Sequence, residues 1–394
     1  MSRTEALPAT TIPRSVLDRG REMPEHPAHF VDTGGTTWDR LSWGQYAAEV
    51  RTAGRALIAL GISKGDRIAL LGENRPTWVV LNVAAMSIGA IPAGIYHTLP
   101  AAEICERIQH SGARVILIDD RSQWQKLDAH RSELPALEAV VTMPGCEEID
   151  DPLVSSWSEF LAQAQGIDDT VLEERLEALS PDDPATLIYT PGTTGPSKGV
   201  LLSHQNLHRT ATALAASSKL GADDSTLSYQ PLPHALEQMA AIHCPALTGA
   251  QVYFAESIAT VAKNRREIQP TMFSGVPRIW ERFHSLVSRS LDQATGFKKL
   301  MMTWVRSVCT RLDHARRSGR KPALGLRLQY AIANQLMLRK LKSALGLGRA
   351  RRCTCSAAPL GTDVAEFFAS LDIHLLEQYG QAETTGIISE CQPE

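Results

Sequence analysis

The chain has 394 residues, enough for two or more domain-sized units and a large core. It is 43% hydrophobic and 21% charged, and its formal net charge of −3 gives no global attraction to nucleic acid. It offers no apolar run long enough for a membrane span and no export-signal core in MSRTEALPATTIPRS, and its seven scattered cysteines suit a reducing, cytoplasmic setting. Only Cys353 and Cys355 stand close together, and a single C-x-C is neither a zinc pair nor a redox pair.

Residues 1–30 read as an irregular, proline-rich lead. A regular alternation follows, predicting helices over 43–60, 77–88 and 100–110 and strands over 66–72, 90–95 and 113–119. Such alternation calls for mostly parallel sheets covered on both faces, so 31–175 is expected to be a first α/β subdomain. The acidic stretch 146–183, with EEIDD, IDDTVLEERLE and SPDDP, reads as a solvated helical connector to a second α/β subdomain over 176–394. There the apolar run 187–189 reads as a short strand, followed by a turn rich in glycine, threonine and proline. A helix start is expected at Ser203-His204-Gln205. Strands are predicted over 226–229, 251–254 and 271–273, with helices between them. From 297 to 352 the pattern changes: fifteen Lys or Arg stand against one acidic residue, Asp313, on helices predicted over 298–315 and 328–345. This basic block suits a membrane source of acyl chains, CoA phosphates or an acidic partner, and it is equally what a pair of solvated helices looks like. GLGRA at Gly346 follows no strand and is therefore not a dinucleotide fingerprint.

A strand opening into a turn such as YTPGTTGPSKG (189–199) is where an α/β protein sets backbone N–H groups and hydroxyls around a phosphate. A Walker-type loop needs Gly-Lys-Ser/Thr, whereas here Ser197 precedes Lys198 and Gly199 follows it, so that reading fails. Three further segments suit the same task. YQPLPHALEQ (229–238) carries His234 and Glu237 at a helix start after a strand. CSAAPL (355–360) is a strand running into a small-residue turn. LLEQYGQAETTG (375–386) places Tyr379 at a strand end and Glu383 on the next turn. Ligands bind at strand ends of α/β sheets, so the four segments are expected to converge.

With these residues in view, the chain resembles, over essentially its whole length, the adenylate-forming superfamily of acyl-CoA synthetases, luciferases and peptide-synthetase adenylation domains. That family's loop, Tyr-Thr-Ser-Gly-Thr-Thr-Gly-x-Pro-Lys-Gly, is similar to 189–199, and its Tyr-Gly-x-Thr-Glu element to 379–383. The stretch 65–96 also looks like the family's early core. Long-chain and bulky-acid acyl-CoA synthetases are resembled in particular. Their His-x-x-Glu element is similar to His234 and Glu237, their Pro-Thr-x-Phe-x-Gly-Val-Pro-Arg element to 270–278, and a basic helical insertion to 297–352.

The resemblance implies two packed α/β subdomains with mostly parallel sheets, and a soluble ligase of the cytoplasm. It also implies a reaction in two steps: a hydrophobic carboxylic acid attacks ATP to give an acyl-adenylate, and CoA then displaces AMP. ATP/AMP, Mg²⁺ and coenzyme A are the implied cofactors. By the same resemblance Thr190, Gly192, Thr193, Thr194, Gly195 and Lys198 would hold phosphates. Ala357, Ala358, Pro359, Gln378, Tyr379 and Gly380 would border the adenine. Glu383 would bind Mg²⁺, and His234, supported by Glu237, would sit near the reacting carboxylate. Lys198, His234 and Glu383 are the expected catalytic residues.

Three departures bear on this. Pro191 replaces a small donor residue, Ala382 replaces the hydroxyl residue before the glutamate, and the family's mobile C-terminal lid domain is expected to be missing from this chain. The losses at 191 and 382 favour, as an alternative, an enzyme that mainly converts a preformed acyl-adenylate to the thioester. Loading a carrier-protein thiol instead of CoA and a non-catalytic nucleotide-binding module are further alternatives; a homodimer is left open.

Overall fold

In chain order the strands are β1 (Pro27–Asp32), β2 (Trp38–Ser42), β3 (Arg67–Leu71), β4 (Ile91–Ile95), β5 (Ala113–Ile118), β6 (Ala139–Thr142), β7 (Val154–Ser156), β8 (Pro184–Thr190), β9 (Lys198–Ser203), β10 (Ser225–Ser228), β11 (Gln251–Phe254), β12 (Met272–Gly275), β13 (Arg352–Cys355), β14 (Leu375–Gln381) and β15 (Gly386–Glu390). The computed structural model describes residues 10–32, 37–190 and 197–392. The chain divides into two units. The first takes the chain to Asp223 together with Ser228–Ile258 and Ala382–Gly386. The second holds Asp224–Leu227, Ala259–Gln381 and the chain from Ile387 on.

In the first unit a seven-stranded sheet runs in the order β7-β6-β5-β3-β4-β8-β9. Every pairing in it is parallel except the β8–β9 hairpin. Ile91–Ile95 is buried at every position and Arg67–Leu71 at all but its first, as expected of strands covered on both faces. The helix Pro76–Ser87 is buried from Thr77 to Ser87, so it lies inside the core rather than on its surface. The helix Trp43–Ala59 starts on a capping box between Ser42 and Gln45 and buries one face, from Trp43 through Leu57. In the same unit β1 pairs antiparallel with β2 and parallel with β11.

Three expectations differ from what is found here. The lead expected to be irregular holds the helix Ile12–Glu22, with Ile12, Val16 and Leu17 buried; Pro13 sits in its first turn, where a missing N–H is harmless. The acidic stretch 146–183 is no connector. It adds β7 to the sheet, and it buries Trp157, Phe160, Leu172 and Leu176 in the same core, while Arg51 pairs with Asp169 and Glu173. The division expected near residue 175 accordingly falls inside the first unit, because β8 and β9 extend the sheet of β3 to β7.

In the second unit β10, β12, β13 and β14 pair in parallel, with β15 beside β14. Trp280 organises its core: the indole N–H donates to the carbonyl of Thr354 at 3.1 Å, and the ring meets Phe273, Phe283 and Phe368 edge-on. The basic block forms the helices Gly296–Arg317 and Leu324–Ala333, the latter continued by a π turn at Asn334–Leu338 into Arg339–Ala344. Among the described residues, no helix is long and apolar enough to cross a membrane.

The N-terminal helix should matter to stability. Ile12→Ala is expected to cost about 2–5 kcal/mol in urea unfolding; a change within experimental error would show that this helix does not pack on the core.

Candidate functional site

β8 and β9 are two posts of a hairpin in which Thr190 faces Lys198 and Tyr189 faces Gly199. Pro191, Gly192, Thr193, Thr194 and Gly195 lie outside the described residues. What anchors the posts is the helix Ala101–Ser111. The buried Tyr189 donates its hydroxyl hydrogen to the carbonyl of Arg107 at 3.0 Å, and His110 Nδ1 lies 2.9 Å from the Tyr189 hydroxyl oxygen. Arg107 Nη2 donates to Ser197 Oγ at 2.6 Å, just before Lys198, whose side chain is exposed. One arginine thus ties both ends of the turn to the same helix.

His234 and Glu237 stand where β10 gives way to a tight turn and a helical run. His234 caps the short helix Ala235–Gln238, its Nδ1 accepting from Leu236 N at 3.2 Å. That bond leaves the ring proton on Nε2, and burial holds the imidazole pKa below its usual value, so the ring is neutral. Glu237 is buried and accepts from Ser228 Oγ at 2.6 Å; burial pushes its pKa up to about 8 against the pull of that bond. Asn74 Nδ2 donates to Ser228 Oγ at 2.9 Å and to the carbonyl of Gln230 at 2.7 Å, while Asn74 Oδ1 accepts from Leu232 N at 3.2 Å. The turn lies directly on β4, where a Cβ on Gly94 would stand 2.8 Å from Pro233 Cα. A glycine in the middle of a parallel strand here serves close backbone approach.

Glu383 sits on the 3-10 turn Ala382–Thr384, its side chain exposed. This turn packs beside β9, and Ala382 rests on the core that includes Leu202 and Met239. Thr385, buried, has φ +67°, a rare conformation for a β-branched residue. Gly386 follows at φ +105°, where a Cβ would come to 3.3 Å from Leu236. Within the first unit, then, the strand of Lys198, the turn of Glu383 and the helix of Glu237 are packed together.

The second unit holds the remaining expected residues. Just after β13, the Ser356 N–H donates to the carbonyl of Gly275, and Ala357 follows at φ +75° with Ala358 and Pro359 exposed beside it. Leu360 N donates to Glu377 Oε1 at 3.1 Å, tying this turn to β14. Gln378 donates to Glu390 at 2.9 Å, whereas Tyr379 is 68% exposed and Gly380 is also open to solvent.

A family model described as AMP-binding enzyme matches residues 17–394. The chain belongs to the AMP-binding enzyme family. It is 32% identical over 389 residues to the long-chain-fatty-acid–CoA ligase ACSBG2 of Xenopus laevis, covering 97% of this chain and 52% of that protein. To ACSBG2 of Homo sapiens it is 34% identical over 382 residues, covering 95% and 56%. The chain thus spans about half the length of the curated relatives it matches. The crystal structure of the anthranilate CoA ligase AuaEII with anthranoyl-AMP matches at a TM-score of 0.71 and 18% identity, covering 100% of this chain and 64% of that one. The inhibitor-bound N-terminal domain of FACL13 from Mycobacterium tuberculosis matches at 0.69 and 19%, covering 98% and 79%. Both share the fold.

In this AMP-binding enzyme the motifs alone missed Asn74 and Arg107. Neither lies in a glycine-rich or acidic signature; the one available signal was Asn74 in the polar GENRP stretch that ends β3. The donor set also fits a magnesium ion held chiefly by substrate. Among the described residues no three His, Cys, Asp or Glu side chains cluster as a metal cage, and Glu383 is an exposed carboxylate with no ion pair. Mg²⁺ characteristically takes one or two carboxylates, phosphate oxygens and water.

Asn74→Ala should lower stability by about 1–3 kcal/mol in urea unfolding, since it orphans buried partners at the turn. Glu237 adds a pH signature. Its folded pKa of about 8 lies above the ordinary value of 4.5, so between these the folded chain holds the extra proton and loses stability as pH rises, levelling off above 8. Thermal midpoints of Glu237→Gln should gain on the parent across that window, and parallel pH curves would refute a neutral Glu237.

Proposed function

We propose that the intact protein is an acyl-CoA ligase that activates a long or bulky hydrophobic carboxylic acid. A carboxylate oxygen attacks the α-phosphorus of ATP and pyrophosphate leaves; the CoA sulfur then attacks the acyl carbon and AMP leaves with the bonding pair. The observation that carries this reading is the packing of the Lys198 strand, the Glu383 turn and the Glu237 helix within one unit of an AMP-binding fold. The relatives named as long-chain-fatty-acid–CoA ligases support the substrate class.

In this reading Thr190 and Lys198 bind and orient phosphate oxygens, a task of positioning and charge neutralisation rather than covalent chemistry. Gly192, Thr193, Thr194 and Gly195 share that task. Glu383 holds Mg²⁺, which supplies positive charge against the phosphates when bound. Neutral His234 offers its Nε2 proton to the acid's carboxylate without forming a competing salt bridge, and neutral Glu237 keeps the same wall free of negative charge. Ala357, Ala358, Pro359, Gln378, Tyr379 and Gly380 border the adenine. Cytoplasmic residence fits the free thiols, of which five of the seven are buried.

Ala382 favours a second reading. Its methyl group is turned onto the core, so the turn lacks the hydroxyl donor that family members present just before the glutamate. Losing one positioned donor costs about 10²–10³ in rate where charge develops. An enzyme so altered would be better at forming thioester from supplied acyl-adenylate than at making the adenylate.

Both readings are tested on the intact protein with hexadecanoate. Acid-dependent exchange of pyrophosphate into ATP, and CoA ester formation, are expected, each reduced about 10²–10³-fold by Lys198→Ala or Glu383→Gln and raised by Ala382→Thr. Absence of exchange with ester still formed from supplied acyl-adenylate would select the second reading. ATP binding with neither reaction would leave only a nucleotide-binding module.

A further inference from the structure

The helices 296–344 display apolar side chains where a water-facing surface has no use for them. Leu324, Leu328, Ile332 and Leu336 recur every four residues along one helical run and are 81%, 64%, 44% and 54% exposed. The next step of that series is Lys340, also exposed. At the start of the helix Gly296–Arg317, Phe297 and Leu300 are 76% and 70% exposed, with Lys298 and Lys299 between them. Single exposed leucines need no explanation, but a stripe of four with a second cluster nearby does.

The C-terminal end of the stripe and the start of the first helix share a groove, which Leu336 and Lys298 both line. Lys298 and Met302 from the first helix, Leu336 and Lys340 from the second, and Leu286 from the helix Pro277–Asp292 line the same cavity of about 510 Å³. Its floor is apolar, formed by side chains such as Phe283 and Val287, while Arg266, Lys298 and Lys340 stand among its lining. The charge around it is one-sided. Among the described residues, no carboxylate pairs with the exposed Lys298, Lys299, Lys321, Arg327, Arg339 or Lys340.

We propose that this face docks on an anionic phospholipid leaflet, its leucines and Phe297 entering the acyl-chain boundary while the unpaired lysines and arginines lie among the headgroups. Long cationic side chains suit that geometry because their stems lie along apolar surface while their heads stay in the polar layer. Charge complementarity selects lipid over a protein cover. An acidic protein surface would satisfy the cations and leave the leucines unmatched, whereas an anionic leaflet matches both at one depth. Lipid docking needs neither ATP, acid nor CoA, so it stands independently of the ligase reading.

Flotation of the intact protein with phosphatidylcholine vesicles, with and without phosphatidylglycerol, tests the proposal. Binding is expected to be at least about tenfold stronger with the anionic lipid and to weaken as salt rises from ~0.1 to ~0.5 M. Leu324→Ser/Leu328→Ser/Leu336→Ser and, separately, Lys298→Glu/Lys299→Glu should each reduce it at least about tenfold with thermal midpoints unchanged. Equal binding to both vesicle types, or full binding by the leucine variant, would overturn the proposal. So would a parent that ignores vesicles but self-associates, with the leucine variant sedimenting as a monomer, since that result assigns the face to a second copy of the chain.

Discussion

A carboxyl group with almost no accessible surface must be neutralised or paired, and among the described residues Glu237 forms no ion pair. Its solution is to remain protonated near neutral pH and to take a short hydrogen bond from Ser228. That choice propagates. Ser228 is the last residue of β10, so the carboxyl fixes where the strand stops. Asn74 then closes the arrangement, because a single amide holds Ser228, Gln230 and Leu232 and so spells out the path of the whole turn. The turn delivers His234 as a helix cap with Nδ1 already engaged, which sets both its tautomer and its neutral state. A polar network buried this deeply is worth having only when each member is satisfied.

The neighbouring backbone is held as tightly. Gly94 lets the Pro233 turn lie directly against the sheet, and Gly386 lets the turn of Glu383 rest against Leu236. Between them Thr385 keeps a left-handed conformation at a cost of roughly 1–3 kcal/mol, which persists only where surroundings over-determine it. Ala357 in the second unit bears a similar load at the small-residue turn after β13. Each of these two positions stands, within its own unit, beside a segment singled out for its chemistry.

Much of this was legible before any coordinates. The apolar runs of β3, β4 and β5 sit between helical periods, and strands buried on both faces leave an unmistakable pattern. His234, Glu237 and Glu383 were singled out because they follow strands, and Tyr379 because it lies near a strand end, where an α/β sheet places its ligands. Asn74 was not, since its role depends on contacts with residues more than 150 positions away. β9 was also missed: KGVLLS alternates only weakly, and its identity as a strand comes from pairing with β8 rather than from its own sequence. The helix Ile12–Glu22 was hidden by prolines that read as disorder, although one of them occupies a first turn that tolerates it. The acidic stretch 146–183 misled for the opposite reason, its carboxylates drawing attention from the four large apolar residues that dock it.

The basic block shows how pairing sorts charges that composition lumps together. Lys342 lies 2.5 Å from Asp372, Arg351 Nε lies 2.7 Å from Asp224, and Arg352 pairs with Glu390. Asp372 is held well below the usual carboxylate range: its burial alone would raise it, but His374, Lys342 and Tyr330 together prevail. These cations are structural, fastening the end of the helical run and the start of β13 to the second unit's own carboxylates. Among the described residues, Lys298, Lys299, Lys321 and Arg327 pair with no carboxylate, and they share their helices with exposed leucines. Since the chain carries only −3 overall, its remainder is net acidic. An anionic surface is therefore attracted to this basic face in particular, and not to the chain's net charge.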